Sequence, residues 1–170
     1  MMAKDILSEN YQDLNITADN LKKNYLLEEP FPNIVIDNFF NKDFLNSILK
    51  DFPNLGSLDS SSRYENKNEI KYTNNQYNVF SKNTKIFFNF LNSQIFLQFI
   101  QKITSIKETL VADKELNGGG LHEIKKGGVL KIHTDFNRHP TLNLDRRVNV
   151  LIYLNKNWKE EYDGHLELWD

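Results

Sequence analysis

The sequence predicts an α+β protein, with helices first and an antiparallel β-region after about residue 110. Three observations carry this. Capped amphipathic segments fill much of the stretch from residue 17 to residue 104. Six of the seven glycines fall between 118 and 164. Around those glycines lie alternating or β-branched runs, VLKIHTD, RRVNVLIYLN and GHLELWD, which favour extended backbone.

Taken in order, TADNLKKNYLLE (17 to 28) reads as a short helix with Thr17 in N-cap position. Pro30 and Pro32 break it, and Ile34, Val35 and Ile36 favour an extended segment. NKDFLNSILKDFPN reads as an amphipathic helix. Asn41 caps it, Phe44, Leu45, Ile48 and Leu49 form its apolar stripe, and Pro53 stops it. Residues 54 to 79 are polar and rich in Ser and Asn, so a long loop or irregular flap is expected there. SKNTKIFFNFLNS and SQIFLQFIQKITS read as two helices capped by Ser81 and Ser93. Their core-facing candidates are Phe87, Phe88, Leu91, Phe96, Ile100 and Ile103. GGGLHEIKKGGVLKIHTD then reads as two strands around a KKGG turn. RRVNVLIYLN and GHLELWD follow as further strands.

A length of 170 residues suits one domain, with 1–115 as a helical and α+β support region and 116–170 as the β-region. Hydrophobic residues make up 39% of the chain, enough for a core, while a formal charge of −2 is spread without any basic block. That pattern argues against nucleic acid or anionic lipid as a partner. The chain has no cysteine, which excludes disulfides and thiolate metal sites. MMAKDILSENYQ lacks the apolar stretch of a signal peptide, and no run approaches the roughly 20 apolar residues that cross a bilayer. The expectation is a soluble, cytoplasmic protein without a membrane partner.

The chemistry centres on KIHTDFN, residues 131 to 137. Side chains two apart on a strand share a face, with Cα atoms about 6 to 7 Å apart, so His133 and Asp135 would project together. Imidazole and carboxylate are the donors of the 2-His-1-carboxylate facial triad, which holds Fe(II) and leaves three positions open. An H-x-D alone also fits a surface His beside an Asp.

The surroundings go further. Gly127 and Gly128 lead into His133 and Asp135. Arg147 through Asn155 form a hydrophobic run ending in Tyr-Leu-Asn. Trp158 follows, and then Gly164-His165-Leu166-Glu167-Leu168. In order and spacing these elements resemble the 2-oxoglutarate and Fe(II)-dependent oxygenases of the prolyl-4-hydroxylase-like group, over about residues 116 to 170. PFPNIVIDNFFNKDFLNSILKDFP is similar, less specifically, to the N-terminal approach segment of such enzymes. The resemblance implies a mainly β core, a double-stranded β-helix (jelly roll), incomplete here and backed by N-terminal helices, with 116–170 as the first part of the catalytic core. It implies Fe(II) and 2-oxoglutarate as cofactors, with ascorbate as a further candidate. The implied reaction inserts oxygen into a C–H bond and converts 2-oxoglutarate to succinate and CO2. His133 and Asp135 carry over as iron ligands and catalytic residues. Tyr153 falls where relatives line the 2-oxoglutarate pocket, and Asn149 and Leu151 share its strand face. Leu130 departs from the pattern, since many relatives place an aromatic there.

The resemblance also calls for a second His and then a basic residue beyond the GG-x-L strand, whereas the sequence stops at Asp170. It therefore implies a fragment with little or no turnover of its own, which self-associates or swaps strands to cover its sheet. His122, His139 and His165 lack the context of a third ligand, and Arg146 and Arg147 read as structural or substrate-facing. The substrate, a protein side chain or a small molecule, is not legible. The segments 54 to 79 and FNRHPTLNLD (136 to 145) are the expected substrate contacts. Two alternatives stay open: a non-catalytic jelly-roll binding module, and a cupin-like metal enzyme that does not use 2-oxoglutarate.

Overall fold

The computed structural model describes residues 3–170, which divide into two compact units. The first comprises residues up to Phe52, Phe80–Lys114 and Leu168–Asp170, and the second comprises Pro53–Val79 and Glu115–Glu167.

The first unit is helical. Its elements are α1 (Ala3–Ile6), α2 (Leu14–Leu27), α3 (Lys42–Lys50), α4 (Lys82–Leu91) and α5 (Gln94–Thr104). Each of the four longer helices starts at a side-chain cap. Asp13 accepts from the Asn15 and Ile16 amides, Asn41 from those of Asp43 and Phe44, Ser81 from that of Thr84, and Ser93 from that of Phe96. Such caps satisfy amides that have no partner inside the helix. Asp13, rather than Thr17, begins α2, and Thr17 is buried one turn further in. Phe39 centres an aromatic core: its ring stacks on Phe99 at 5.3 Å and meets Phe40 edge-on at 4.9 Å. Phe40 in turn meets Phe87 at 4.8 Å. An isolated antiparallel bridge, Leu7 to Phe40, ties the N-terminal segment to this core. Ala18, fully buried on α2, lets that helix lie close against α5, and Lys102 reaches back across to Asp19 at 2.7 Å.

The second unit holds a three-stranded antiparallel sheet in the order β1 (Ser62–Glu65), β2 (Ile70–Asn74), β3 (Leu121–Glu123). Glu65 pairs with Ile70, and Asn74 with Leu121. A hairpin thus stands where a loop was expected. The KKGG segment is a turn, closed by the Gly128 amide on the Lys125 carbonyl at 2.7 Å, but it does not fold a hairpin. The chain returns to the same edge of β2, bridging Glu69 to Leu130, so residues 124 to 128 loop out of a shared edge.

Helices with a small antiparallel sheet make a mixed α and β architecture. The core differs from the mainly β expectation. Of the described apolar side chains that are buried, only Leu55, Leu116 and Leu121 lie in the second unit. Among the described residues, the strands expected at 129–135, 146–155 and 164–170 form no ladder, Leu130 making only an isolated bridge, and no residue after Leu121 is buried. The physical reason is the absence of neighbouring strands: β-branched composition favours extended backbone, but a strand forms only against a partner. No helix among the described residues is long and apolar enough to cross a membrane.

Candidate functional site

The KIHTDFN segment leaves the sheet edge just before the site. The Ile70 amide donates to the Val129 carbonyl at 2.7 Å, and the Lys131 amide to the Asn68 carbonyl at 2.9 Å. These bonds anchor the chain immediately before His133. His133 Nδ1 then lies 2.6 Å from the Lys131 carbonyl oxygen. A carbonyl can only accept, so Nδ1 is the donor in this contact, and in the neutral tautomer with that proton Nε2 offers its lone pair. Nε2 faces Asp135 Oδ1 at 3.6 Å.

Two acceptors facing one another at this distance can be bridged by a water that donates to both or by a shared cation. Donors held at right angles on a divalent ion, each about 2.1 Å from it, lie about 3 Å apart, so a modest side-chain shift would bring this pair onto a shared ion. A ring nitrogen fixed by a backbone carbonyl is also the usual outer support of a metal-binding histidine. The two residues therefore fit a divalent metal as two of its ligands. A third is missing: among the described residues no group of three His, Cys, Asp or Glu side chains could hold a metal ion. Both side chains are nearly half exposed, so the pair is open to water.

The other carboxylate oxygen, Oδ2, is occupied. The Asn149 amide nitrogen donates to it at 2.5 Å, and Arg146 Nη1 approaches it at 3.4 Å. Arg146 Nη2 also donates to Asn149 Oδ1, which closes a ring of three side chains. The guanidinium lies over the Phe136 ring, 4.6 Å from its centre. The loop FNRHPTLNLD brings Arg146 there, because its legs pair. The Arg146 amide donates to the Asn137 carbonyl at 2.8 Å, and the His139 amide to the Leu144 carbonyl at 2.9 Å. Gly118 makes room: a Cβ there would lie 2.4 Å from the Phe136 ring.

The structure thus brings His133, Asp135 and Asn149 together. Tyr153 and Leu151 lie outside this cluster on an exposed stretch, 63% and 57% accessible. His139 is part of its loop, with Nδ1 accepting from the Thr141 and Leu142 amides. His165 is exposed. His122, on β3 beside Thr73, has its pKa pushed below the ordinary value by partial desolvation, the residue remaining exposed. The Gly119 backbone and Asp135 oppose that shift, while Lys71 and Arg146 add to it. The Lys71 ammonium, 3.0 Å from Glu69, holds the Glu69 carboxyl below its usual range. Sequence reasoning missed the Arg146–Asp135 pairing. The Pro and Asn turn residues between Asn137 and Arg146 were the available signal that the two ends of this loop meet.

Residues 119–170 match the family model of the 2OG-Fe(II) oxygenase superfamily. The match contains the His133–Asp135 pair and the Asn149, Leu151 and Tyr153 positions. It supports a 2OG-Fe(II) oxygenase assignment for this part of the chain, in a superfamily that generally uses Fe(II) and 2-oxoglutarate. No curated protein and no solved structure matches the chain.

Proposed function

We propose that residues 116–170 belong to the jelly-roll core of an Fe(II)- and 2-oxoglutarate-dependent oxygenase of the prolyl-4-hydroxylase-like kind, with His133 and Asp135 as two of its iron ligands. One observation carries the reading. Within the segment matching the oxygenase superfamily, His133 is held by the Lys131 carbonyl so that Nε2 faces Asp135 Oδ1 across 3.6 Å. Iron held there would supply oxidative chemistry with O2 as the oxidant: 2-oxoglutarate would give succinate and CO2, one oxygen atom entering succinate and the other a C–H bond of a protein side chain or small molecule. His133 would supply a neutral nitrogen, and Asp135 the negative charge that favours a divalent ion. Tyr153, Leu151 and Asn149 are assigned to the 2-oxoglutarate side of the site, where Asn149 also steadies Asp135.

The test is succinate formation from 2-oxoglutarate with Fe(II) and no second substrate. The expected result is slow succinate formation, slight but above a chelator-treated control, falling to that control in His133→Ala and in Asp135→Ala. Undiminished succinate in both variants would remove the site. A second reading, a binding module that keeps the fold without turnover, is favoured by the lack of a third ligand among the described residues. It predicts no succinate in any variant.

A further inference from the structure

The sequence has no basic block, but the fold gathers one. Strand pairing brings residues 62–72 and 121–131 side by side: Tyr72 lies opposite Glu123, Glu69 bridges Leu130, and the Lys131 amide donates to the Asn68 carbonyl. Together these segments carry six basic side chains, Arg63, Lys67, Lys71, Lys125, Lys126 and Lys131, against three acidic ones, in a chain whose formal charge is −2. We propose that this end of the sheet is a docking surface for an acidic polypeptide segment. The proposal rests on charge, exposure and packing within the second unit and holds whatever His133 and Asp135 bind.

The three carboxylates do not neutralise the patch, because each is committed elsewhere. Glu65 pairs with Arg63, Glu69 with Lys71 at 3.0 Å, and Glu123 accepts from the Leu55 and Gly56 amides at 2.9 and 3.3 Å. The ammoniums of Lys67, Lys126 and Lys131 are exposed and have no carboxylate partner among the described residues. Their backbone is fixed. Lys67 sits in the β1–β2 turn, where Asn66 Oδ1 accepts the Asn68 and Glu69 amides, and Lys126 sits in the turn closed by Gly128. Lys125 adds a fourth cation that is aimed but not neutralised: its ammonium donates to Asn54 Oδ1 at 2.8 Å and lies 5.2 Å from the centre of the Tyr72 ring. Like charges gathered on one surface repel one another, and an anionic partner relieves that repulsion.

Two features select a polypeptide over other anions. Aliphatic side chains lie among the lysines: Ile124 is 50% exposed, Leu130 42% and Ile70 36%. An added Cβ on Gly128 would lie 2.6 Å from Ile124 and 2.8 Å from the Ile70 carbonyl oxygen, so Ile124 lies across that glycine beside the start of β2. Half-covered aliphatics offer shallow contacts to a partner's side chains, whereas membrane-surface segments bury a whole apolar face. The tyrosine rings of the sheet are also engaged. Lys71 stands 5.0 Å from the centre of Tyr64, and Arg63 stands 5.9 Å from that of Tyr72, beside Lys125. Binders of single-stranded nucleic acid instead keep open rings on which bases stack. Carboxylates spaced by aliphatic residues match both the free ammoniums and the apolar side chains between them.

The experiment follows the fluorescence anisotropy of a labelled glutamate-rich peptide, with leucine at every third position, as the full chain is added. The expected result is saturable binding that weakens with added salt and is absent for a peptide carrying glutamine in place of glutamate. Lys67→Gln, Lys126→Gln and Lys131→Gln combined should weaken it roughly tenfold, since exposed charge contacts contribute only modestly each. The same three positions changed to Arg should keep it. Gln at Lys23, Lys82 and Lys107, exposed lysines of the first unit, should leave it unchanged. Ile124→Ser, which removes no charge, should weaken it several-fold. No saturable binding, or equal losses in the two triple Gln variants, would overturn the docking surface. Tighter binding to oligouridylate or to phosphatidylserine vesicles than to the peptide would overturn the choice of a polypeptide.

Discussion

Gly120 occupies a position where a side chain has no room. Its φ is +96°, and an added Cβ would lie 2.5 Å from the Asn74 carbonyl oxygen, a backbone atom of the adjoining strand. Gly119, next to it, would place a Cβ no closer than 3.6 Å to anything, an ordinary contact. Gly120→Ala is therefore expected to lose about 1–2 kcal/mol from backbone conformation alone, and more from displacing β2. Gly119→Ala should be neutral or slightly stabilising, because it only reduces the freedom of the unfolded chain. Urea midpoints of the two variants check this, and equal midpoints would refute it. His122 gives a pH prediction of definite sign. Desolvation lowers its pKa from 6.5 in the fold, so the unfolded chain takes up the proton more readily. Stability from this group is complete above pH 6.5 and is lost as pH falls through the lower folded value. Glu69, also lowered, adds loss in the same direction at more acid pH. Melting temperature should fall between pH 8 and pH 5.5, and His122→Asn should flatten that part of the curve. An unchanged slope in His122→Asn would assign the acid sensitivity elsewhere.

At the scale of elements, caps separate what was legible from what was not. Helices α3, α4 and α5 begin at Asn41, Ser81 and Ser93, the residues that a reading of caps and 3.6-residue periodicity selects. The caps differ in strength. Asn41 accepts from two amides at 2.9 and 3.0 Å, whereas Ser93 accepts from one at 3.4 Å. Asn41→Ala should cost about 1 kcal/mol or somewhat more, and Ser93→Ala about half of that. Thermal unfolding of the two single variants measures the difference, and an equal cost would show that packing rather than capping sets these ends. The β1–β2 hairpin was not legible because every residue of β1 is exposed, which erases the alternation that marks a half-buried strand. The opposite error occurred at 147–155. There β-branched composition announced a strand, but strand identity is a property of pairs and this segment has no ladder among the described residues. The His133–Asp135 pair was legible because it depends only on local spacing. Arg146 was not, because its approach to Asp135 needs the 136–145 loop to close on itself.

Across the whole molecule, burial and strand-forming sequence are distributed in opposite ways. The aromatic core belongs to the helical unit, while the segment that matches the oxygenase superfamily has no buried residue after Leu121. Its apolar side chains face solvent: Ile132 is 61% accessible, Leu151 57%, Tyr153 63% and Leu166 55%. Each square ångström of such surface removed from water contributes about 25 cal/mol, and extended backbone without a ladder partner is a template for pairing with another chain. A second copy offers both the apolar face and the matching edge, so we expect the protein to self-associate through 147–155 in a concentration-dependent way. A stable pair of chains needs roughly 800 Å² covered on each partner, which a few isolated side chains cannot supply but a paired strand with its flanking residues can. Sedimentation velocity over a hundredfold range of concentration is the measurement. The expected outcome is a rising average mass, returned toward the monomer by Leu151→Lys, which puts a charge where the paired face would close. A monomer at every concentration would show that this exposed face is stable by itself in water. It would also require the extended segment to be held by interactions within one chain.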